Sequence, residues 1–186
     1  TIKYNVTDGA AGTVNITVTG PDGVTRTFND VPIANGTVGV NVADLPAGNY
    51  TVNVTYNGDG NFNPSSAVAN FSVSKATPAV NVNATDIDYH DSETINVTVN
   101  DDATGTVSIT VKNETGDVVY SNSSELSGSK ASFTVPDLSA GKYNVTVEYS
   151  GDNNYNSETA KANFTVNKID TPVKVDTENI TYGDDE

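Results

Sequence analysis

The feature that most constrains this chain is an internal repeat of 93 residues. Residues 50–62 read YTVNVTYNGDGNF, and residues 143–155 read YNVTVEYSGDNNY. When the chain is aligned with itself at this offset, 38 of 93 positions are identical and no gap is needed. A tandem duplication means that one structural unit occurs twice, so the fold can be derived for a single unit.

Each unit consists of short apolar–polar alternations separated by clusters of Gly, Asn, Asp and Ser. Alternation with a period of two predicts strands with one buried face and one solvated face, and the clusters predict turns. About seven such strands in about 90 residues are typical of an immunoglobulin-like sandwich. We therefore predict an all-β chain of two tandem sandwiches. The inward residues of the second unit would be Ile95, Val97, Val99, Val107, Ile109, Val111, Phe133, Val135, Tyr143, Val145, Val147, Tyr149, Ala162, Phe164 and Val166.

The repeat is out of phase with the ends of the chain. We predict a first domain over residues 1–74 that lacks its first strand, a linker over 75–78 and a second domain over 79–168. Residues 169–186 repeat the opening of the second domain, which predicts the first strand of a next unit. Two interpretations stay open: the array continues along one chain, or this strand completes a neighbouring sandwich. The residues for such an exchange are Val173, Val175, Ile180 and Tyr182.

Four short sequence motifs of the repeat carry a family resemblance. They are Gly-Thr-Val-x-Ile-Thr-Val, Asp-Leu-x-Ala-Gly-x-Tyr, Tyr-x-Gly-Asp-x-Asn and Asn-Phe-(Ser/Thr)-Val, each present in both units. The pattern resembles bacterial Ig-like repeat domains and, more narrowly, the tandem repeats of adhesin-like proteins of methanogenic archaea. This resemblance implies a large extracellular polypeptide attached to the cell surface. Its implied partners are neighbouring repeats and a host or cell-surface receptor, although fold alone does not define a function.

Composition excludes several classes of partner. The net charge is −15, and the eight Lys and one Arg are scattered singly, so no nucleic-acid binding is expected. No apolar run approaches the roughly 20 residues of a membrane span, so no membrane insertion is expected in this segment. The one histidine, His90, is replaced by Gly183 in the next copy. No catalytic constellation therefore recurs, and an enzyme is not expected.

Glycosylation sequons are the strongest chemical signal. The motif Asn-x-Ser/Thr without Pro occurs more often than chance predicts, although strand alternation by itself places Asn and Thr two residues apart. Asn15, Asn53, Asn96 and Asn144 fall on the predicted outward face. The candidate glycosylation sites are Asn5, Asn15, Asn35, Asn49, Asn53, Asn70, Asn83, Asn96, Asn113, Asn122, Asn144, Asn163 and Asn179.

Acidic turns raise the question of calcium, the one cofactor considered. Asp101, Asp102 and Asp152 are predicted to meet in loops at one pole of the second domain, and convergent oxygen ligands suit Ca²⁺. The alternative, ordinary solvated turn acids, is favoured because the ligand spacing is irregular. Tyr50 and Tyr143 have a structural interpretation: each can return its hydroxyl to upstream backbone in a tyrosine corner.

The function that follows from these features is structural and adhesive: an extended, glycosylated extracellular stalk or fibre of Ig-like domains. The first alternative is a filament subunit joined to the next by donor-strand complementation. The second is a carbohydrate- or protein-binding module, which would need an exposed aromatic patch. Only Phe62 and Tyr155 are expected at a loop tip.

Overall fold

A computed structural model describes residues 1–179, 181 and 182 of the chain. All regular structure within them is β. The first domain contains β1 (Ile2–Asn5), β2 (Thr13–Thr19), β3 (Thr25–Pro32), β4 (Thr37–Val40), β5 (Gly48–Tyr56) and β6 (Ser65–Val73). The second contains β7 (Asn81–Asn83), β8 (Ile87–Asp88), β9 (Glu93–Thr98), β10 (Thr106–Asn113), β11 (Val118–Glu125), β12 (Lys130–Val135), β13 (Gly141–Tyr149) and β14 (Glu158–Asn167).

The second domain is a sandwich of two sheets. One sheet has the strand order β12-β9-β7, and the other has the order β11-β10-β13-β14-β8. Pairing is antiparallel except between β14 and β8, which run parallel. The predicted inward residues form the core between the sheets, with Ala162 partly buried at its margin. Ile95, Val97, Val107 and Ile109 are fully buried, so the predicted strand phase is confirmed.

The first domain repeats this arrangement with fewer strands. Its sheets have the orders β1-β4 and β3-β2-β5-β6, which correspond at the 93-residue offset to β9-β12 and β11-β10-β13-β14. Its core contains Val14, Ile16, Val18, Val52 and Val54. Among the described residues, β7 and β8 have no counterpart in this domain. The all-β prediction is confirmed, and no sheet of the described chain contains strands from both domains.

A tyrosine closes the turn that leads into the long central strand of each domain. The Tyr50 hydroxyl donates to the carbonyl of Pro46 at 2.7 Å, and the Tyr143 hydroxyl donates to that of Ser139 at 2.7 Å. The Tyr50 ring stacks on Phe71 with centroids 5.0 Å apart. The predicted tyrosine corners are confirmed, and they fix β5 and β13 against the following strands.

The chain beyond β14 lies outside both sandwiches. Residues 168–179 form no strand. Val173 and Val175 are 86% and 80% exposed, and Tyr182 is fully exposed. Ile180, the fourth candidate for strand exchange, lies outside the described residues. No helix of the described chain is long and apolar enough to cross a membrane.

Candidate functional site

The loop between β13 and β14, at one pole of the second domain, is organised by Asp152. Oδ1 of Asp152 accepts the backbone N–H groups of Asn154 and Tyr155, each at 2.8 Å, which closes a local turn. Oδ2 accepts the N–H of Thr104 at 2.8 Å and the hydroxyl of Tyr149 at 2.9 Å. Burial acts to raise the pKa of this carboxyl, but the donors outweigh it and hold the pKa at about 2. The carboxylate is therefore an internal strut joining three segments.

The same loop receives the segment that connects the two domains. The N–H of Ala76 donates to the carbonyl of Asn154 at 2.8 Å, and the N–H of Asn156 donates to the carbonyl of Ala76 at 2.9 Å. These two bonds form a parallel bridge between the connecting segment and the loop. Pro78 is buried. The predicted linker 75–78 is thus hydrogen-bonded to the second domain through the backbone of Ala76.

Side chains extend this junction on both sides. The Lys75 ammonium donates to the carbonyl of Asp152 at 2.6 Å. The Asn154 side-chain oxygen accepts the N–H of Ala47, a first-domain residue, at 3.0 Å, and this contact is partly buried. Asn154 therefore binds the connecting segment through its backbone and the first domain through its side chain. We call residues 47, 75, 76, 152, 154 and 156 the junction.

The first domain carries a second copy of the same loop. Oδ1 of Asp59 accepts the N–H groups of Asn61 and Phe62 at 2.7 and 2.8 Å, and Oδ2 accepts that of Ala11 at 2.8 Å. The backbone donor of Ala11 is the main cause that lowers the pKa of Asp59 to about 2. The aspartate of the repeated phrase Gly-Asp-x-Asn therefore has the same structural role in both loops. In the described chain, only the loop at Asp152 contacts a connecting segment.

The candidate calcium residues lie at this pole but are used by the protein. Asp102 accepts the hydroxyl of Tyr155 at 2.7 Å, and both oxygens of Asp152 accept the bonds given above. Asp101 contributes its backbone carbonyl to Ser129, at 2.6 Å. No group of three or more potential metal ligands is found among the described residues. Calcium binding stays a prediction. For Asp152, the alternative of an ordinary turn acid is now specific, because its carboxylate accepts hydrogen bonds from the protein itself.

Sequon asparagines occupy the outer faces of the strands and the turns. None of them is buried, and only Asn15 and Asn113 are half-buried. The Asn15 amide is already paired with Asn57 at 3.1 Å, and that of Asn113 with Asp117 at 3.3 Å. Exposed sites on β5, β9 and β13 include Asn53, Asn96 and Asn144, as predicted for the outward phase. Whether any site carries a glycan stays a prediction.

Aromatic side chains at the loop tips pack inward. Phe62 and Tyr155 are half-buried against their respective cores. The exposed aromatics among the described residues are Tyr89, whose ring lies 4.0 Å from that of His90, and Tyr182. They do not form the contiguous aromatic patch that a carbohydrate-binding module would need.

The junction residues Ala47 and Asn154 were missed by the sequence analysis, which interpreted residues 75–78 as a simple spacer. The available signal was the Asn at the fourth position of Gly-Asp-x-Asn, which is identical in both units (Asn61 and Asn154) although it faces no core. A repeated polar residue in a turn has a local explanation, so a contact with another domain could not be inferred from it.

Comparisons with known proteins give a family model for the second domain and several solved structures with low similarity. Residues 80–167 match the family model described as "Bacterial Ig-like domain (group 3)". No curated protein sequence matches the chain. Solved structures with similar folds include fibronectin(III)-like modules of Clostridium thermocellum CbhA (13% identity, 94% of this chain and 90% of that chain, TM-score 0.38). The amphioxus IgVJ-C2 molecule is 13% identical, with 89% of this chain and 96% of that chain covered and a TM-score of 0.40. The BSP domain of a biofilm associated protein is 21% identical, with 91% of this chain and 27% of that chain covered and a TM-score of 0.31. At these TM-scores the structural likenesses support no inference about function.

Proposed function

Because residues 80–167 match the bacterial Ig-like domain (group 3) model and the 93-residue repeat carries the same motifs into residues 1–74, we propose that the chain is a structural segment of an extracellular, surface-attached protein. Its task is to supply length: each repeat adds one folded spacer to a stalk or fibre. This function needs domains that fold independently and joints that resist bending. It needs no catalytic group and no cofactor.

The observation that carries the proposal is the docked junction. A flexible tether would leave residues 75–78 without backbone partners, whereas Ala76 here exchanges two backbone hydrogen bonds with the loop at Asn154 and Asn156. Asn154 also reaches across to Ala47. Four hydrogen bonds join three segments at this joint, one of them from the first domain, and they limit the angle between successive domains, as a spacer requires.

Small-angle X-ray scattering of the 186-residue chain tests the stiffness of the joint. The wild type is expected to be elongated, with a radius of gyration well above the roughly 16 Å of a compact globule of this length. Lys75→Ala/Asn154→Ala removes the junction's side-chain contacts and should broaden the distribution of molecular dimensions. The matched control is Asn153→Ala/Lys161→Ala, which changes exposed residues of the same types. A variant as stiff as the control would refute the spacer proposal.

Glycosylation belongs to the same proposal, because a glycan coat suits an extracellular fibre with an outward face rich in sequons. Exposed asparagines on strands, such as Asn53 and Asn144, are expected to be occupied, whereas Asn15 and Asn113 are expected to be bare because their amides are paired. Mass spectrometry of peptides from the protein purified from its source organism measures this. Bare peptides at Asn53 and Asn144 would contradict the glycosylated, extracellular assignment.

A further inference from the structure

Glu93 is the one charged residue in the interior among the residues that the structure describes, with 1% of its surface exposed. It begins β9, and both of its carboxyl oxygens face Thr85. Oε1 accepts the backbone N–H of Thr85 at 2.7 Å, and Oε2 accepts its hydroxyl at 3.2 Å. A buried carboxyl group costs free energy unless its oxygens are hydrogen-bonded, so core packing alone does not explain this residue. What Glu93 holds is the segment between β7 and β8.

The residue that follows Thr85 is fastened to the other sheet. Oδ1 of Asp86 accepts the backbone N–H of Thr165, in β14, at 2.7 Å. Glu93 belongs to the sheet β12-β9-β7, whereas Thr165 belongs to the sheet that contains β13, β14 and β8. We call residues 84–88 the crossing segment, because they lead from β7 in one sheet to β8 in the other. Two carboxyl groups therefore fix the crossing segment to both sheets.

The crossing segment ends in β8, which forms the one parallel strand pair of the described chain. Ile87 pairs with Val166, and Asp88 pairs with Asn167. The backbone N–H of Tyr89 extends the pairing by donating to the carbonyl of Asn167 at 2.9 Å. Because the ladder itself is only two residue pairs long, the side-chain bond of Asp86 adds substantially to the attachment of β8 to β14.

The chain enters and leaves the second domain at opposite poles. Ala76 lies on the loop that precedes β14, and β14 runs for ten residues, about 33 Å, away from that loop. β8 is parallel to β14, so tension pulls the crossing segment toward the entry pole and β14 toward the exit pole. The two strands are then slid along each other, which stretches all the bonds between them at once. Strands that are peeled apart from one end break the same bonds one at a time.

From these observations we infer that the crossing segment is a latch against tension, in which Glu93 and Asp86 hold it to the two sheets while the chain is pulled along its length. The inference rests on the proposed function, because a stalk or fibre attached to a surface transmits pulling forces through its repeats. It adds a property that a spacer does not need, namely slow unfolding under load. Resistance to forced unfolding is governed by the unfolding rate and not by the equilibrium free energy.

Single-molecule force spectroscopy of the 186-residue chain tests the direction of pulling, with cysteines as attachment points because the natural chain has none. Thr77→Cys/Ile169→Cys, the sliding pair, places the second domain between the handles and pulls β8 along β14. Asp91→Cys/Ile169→Cys, the peeling pair, places both handles at the pole where β8 and β14 end. All three positions are exposed. At one constant force, the second domain should survive at least about ten times longer with the sliding pair.

Asp86→Ala tests the outer fastening at an exposed position, where the variant is expected to fold. With the sliding pair it should shorten the lifetime under force at least about tenfold, because a hydrogen bond to a charged acceptor is lost. Asp86→Asn keeps an oxygen that accepts the N–H of Thr165 and should restore most of the lifetime. The matched control is Asp91→Ala, since Asp91 contacts Asp88 only through its backbone N–H within the described residues.

Glu93→Leu tests the inner fastening. It keeps a side chain of similar size in the interior but leaves the N–H and the hydroxyl of Thr85 without their acceptors. The lifetime should fall by a larger factor with the sliding pair than with the peeling pair. Glu93→Gln retains an oxygen that accepts the N–H of Thr85, so its lifetime should lie between those of the wild type and Glu93→Leu.

Two results would overturn the inference. Equal lifetimes for the sliding and peeling pairs would mean that the latch does not depend on the direction of pulling. An Asp86→Ala lifetime equal to that of Asp91→Ala would mean that the outer fastening does not act. Circular dichroism without load checks that each variant is folded. Either result would leave the spacer proposal standing, because the scattering experiment measures the joint between the domains and not the resistance of one domain to force.

Discussion

At the residue scale, Asp152 shows how a repeated phrase can be structural. Its carboxylate satisfies backbone N–H groups on two loops and the hydroxyl of Tyr149, which is itself almost fully buried. Hydrogen bonds to an ionised acceptor are stronger than neutral ones, and donors left without a partner in a partly buried site are costly. Asp59 repeats the arrangement in the first domain, so the phrase recurs for a stereochemical reason that is independent of any ligand.

We expect Asp152→Asn to destabilise the second domain by about 1–3 kcal/mol at neutral pH, since an amide cannot accept from all the donors that face the carboxylate. The folded-state pKa of about 2 lies below the ordinary value of 3.8, so this stabilisation is present above pH 4 and is lost as the pH falls toward 2. Thermal unfolding curves of wild type and variant should thus differ at pH 7 and converge near pH 2.

The control for this prediction is Asp101→Asn, since Asp101 contacts Ser129 only through its backbone carbonyl. It should unfold like the wild type at every pH. Measuring all three proteins with and without a chelator separates the two roles of the pole. A stability difference that vanished with the chelator would favour calcium ligation at Asp101, Asp102 and Asp152 over the hydrogen-bonded strut.

At the element scale, the two domains form a natural comparison of a complete sandwich and an open one. β6 and β14 are equivalent strands with the same Asn-Phe-(Ser/Thr)-Val phrase, but among the described residues only β14 has further strands beside it, with β8 along its edge and β7 above it. The partial exposure of Phe71 and Val73 follows from that difference. Identical side chains therefore bury different amounts of apolar surface in the two domains. Because the stabilisation scales with the buried apolar area, they also stabilise the two domains to different extents.

We expect Phe164→Ala to destabilise the second domain by about 3–5 kcal/mol, as for a fully buried aromatic side chain, and Phe71→Ala to cost the first domain less than half of that. Hydrogen exchange followed by mass spectrometry reports each domain separately. Equal losses in the two domains would contradict the difference in burial between Phe71 and Phe164.

β11 marks the limit of pattern-based prediction at this scale. Its residues Val118–Glu125 read VVYSNSSE, and all but Tyr120 are exposed. An edge strand that buries almost no side chains needs no alternation of apolar and polar residues in its sequence. The backbone of β11 is held in place by its pairing with β10. The inward residues of β9, β10, β12, β13 and β14 could be predicted because each faces a core on one side.

At the scale of the whole molecule, the repeat of 93 residues also repeats positions that form the contact between the two domains. Among the described residues the joint is formed where Lys75 and Ala76 contact the loop at Asp152, and the repeat counterparts of these two residues are Lys168 and Ile169. The net charge of −15 keeps such a chain soluble and disfavours sideways clustering through mutual repulsion.

By itself the sequence determined the all-β class, the phase of the buried strands, the tyrosine corners and the mismatch between the repeat and the chain ends. These features are written in local alternation and in the self-alignment, which need no knowledge of distant contacts. Only the tertiary structure decided that residues 75–78 are docked on the loop at Asp152 and that the side chain of Asp86 is bonded to the backbone of β14. Those features arise between residues far apart in the chain, such as Ala47 and Asn154. Because turn formation already explains the local sequence around each of them, the sequence gives no sign of their contact.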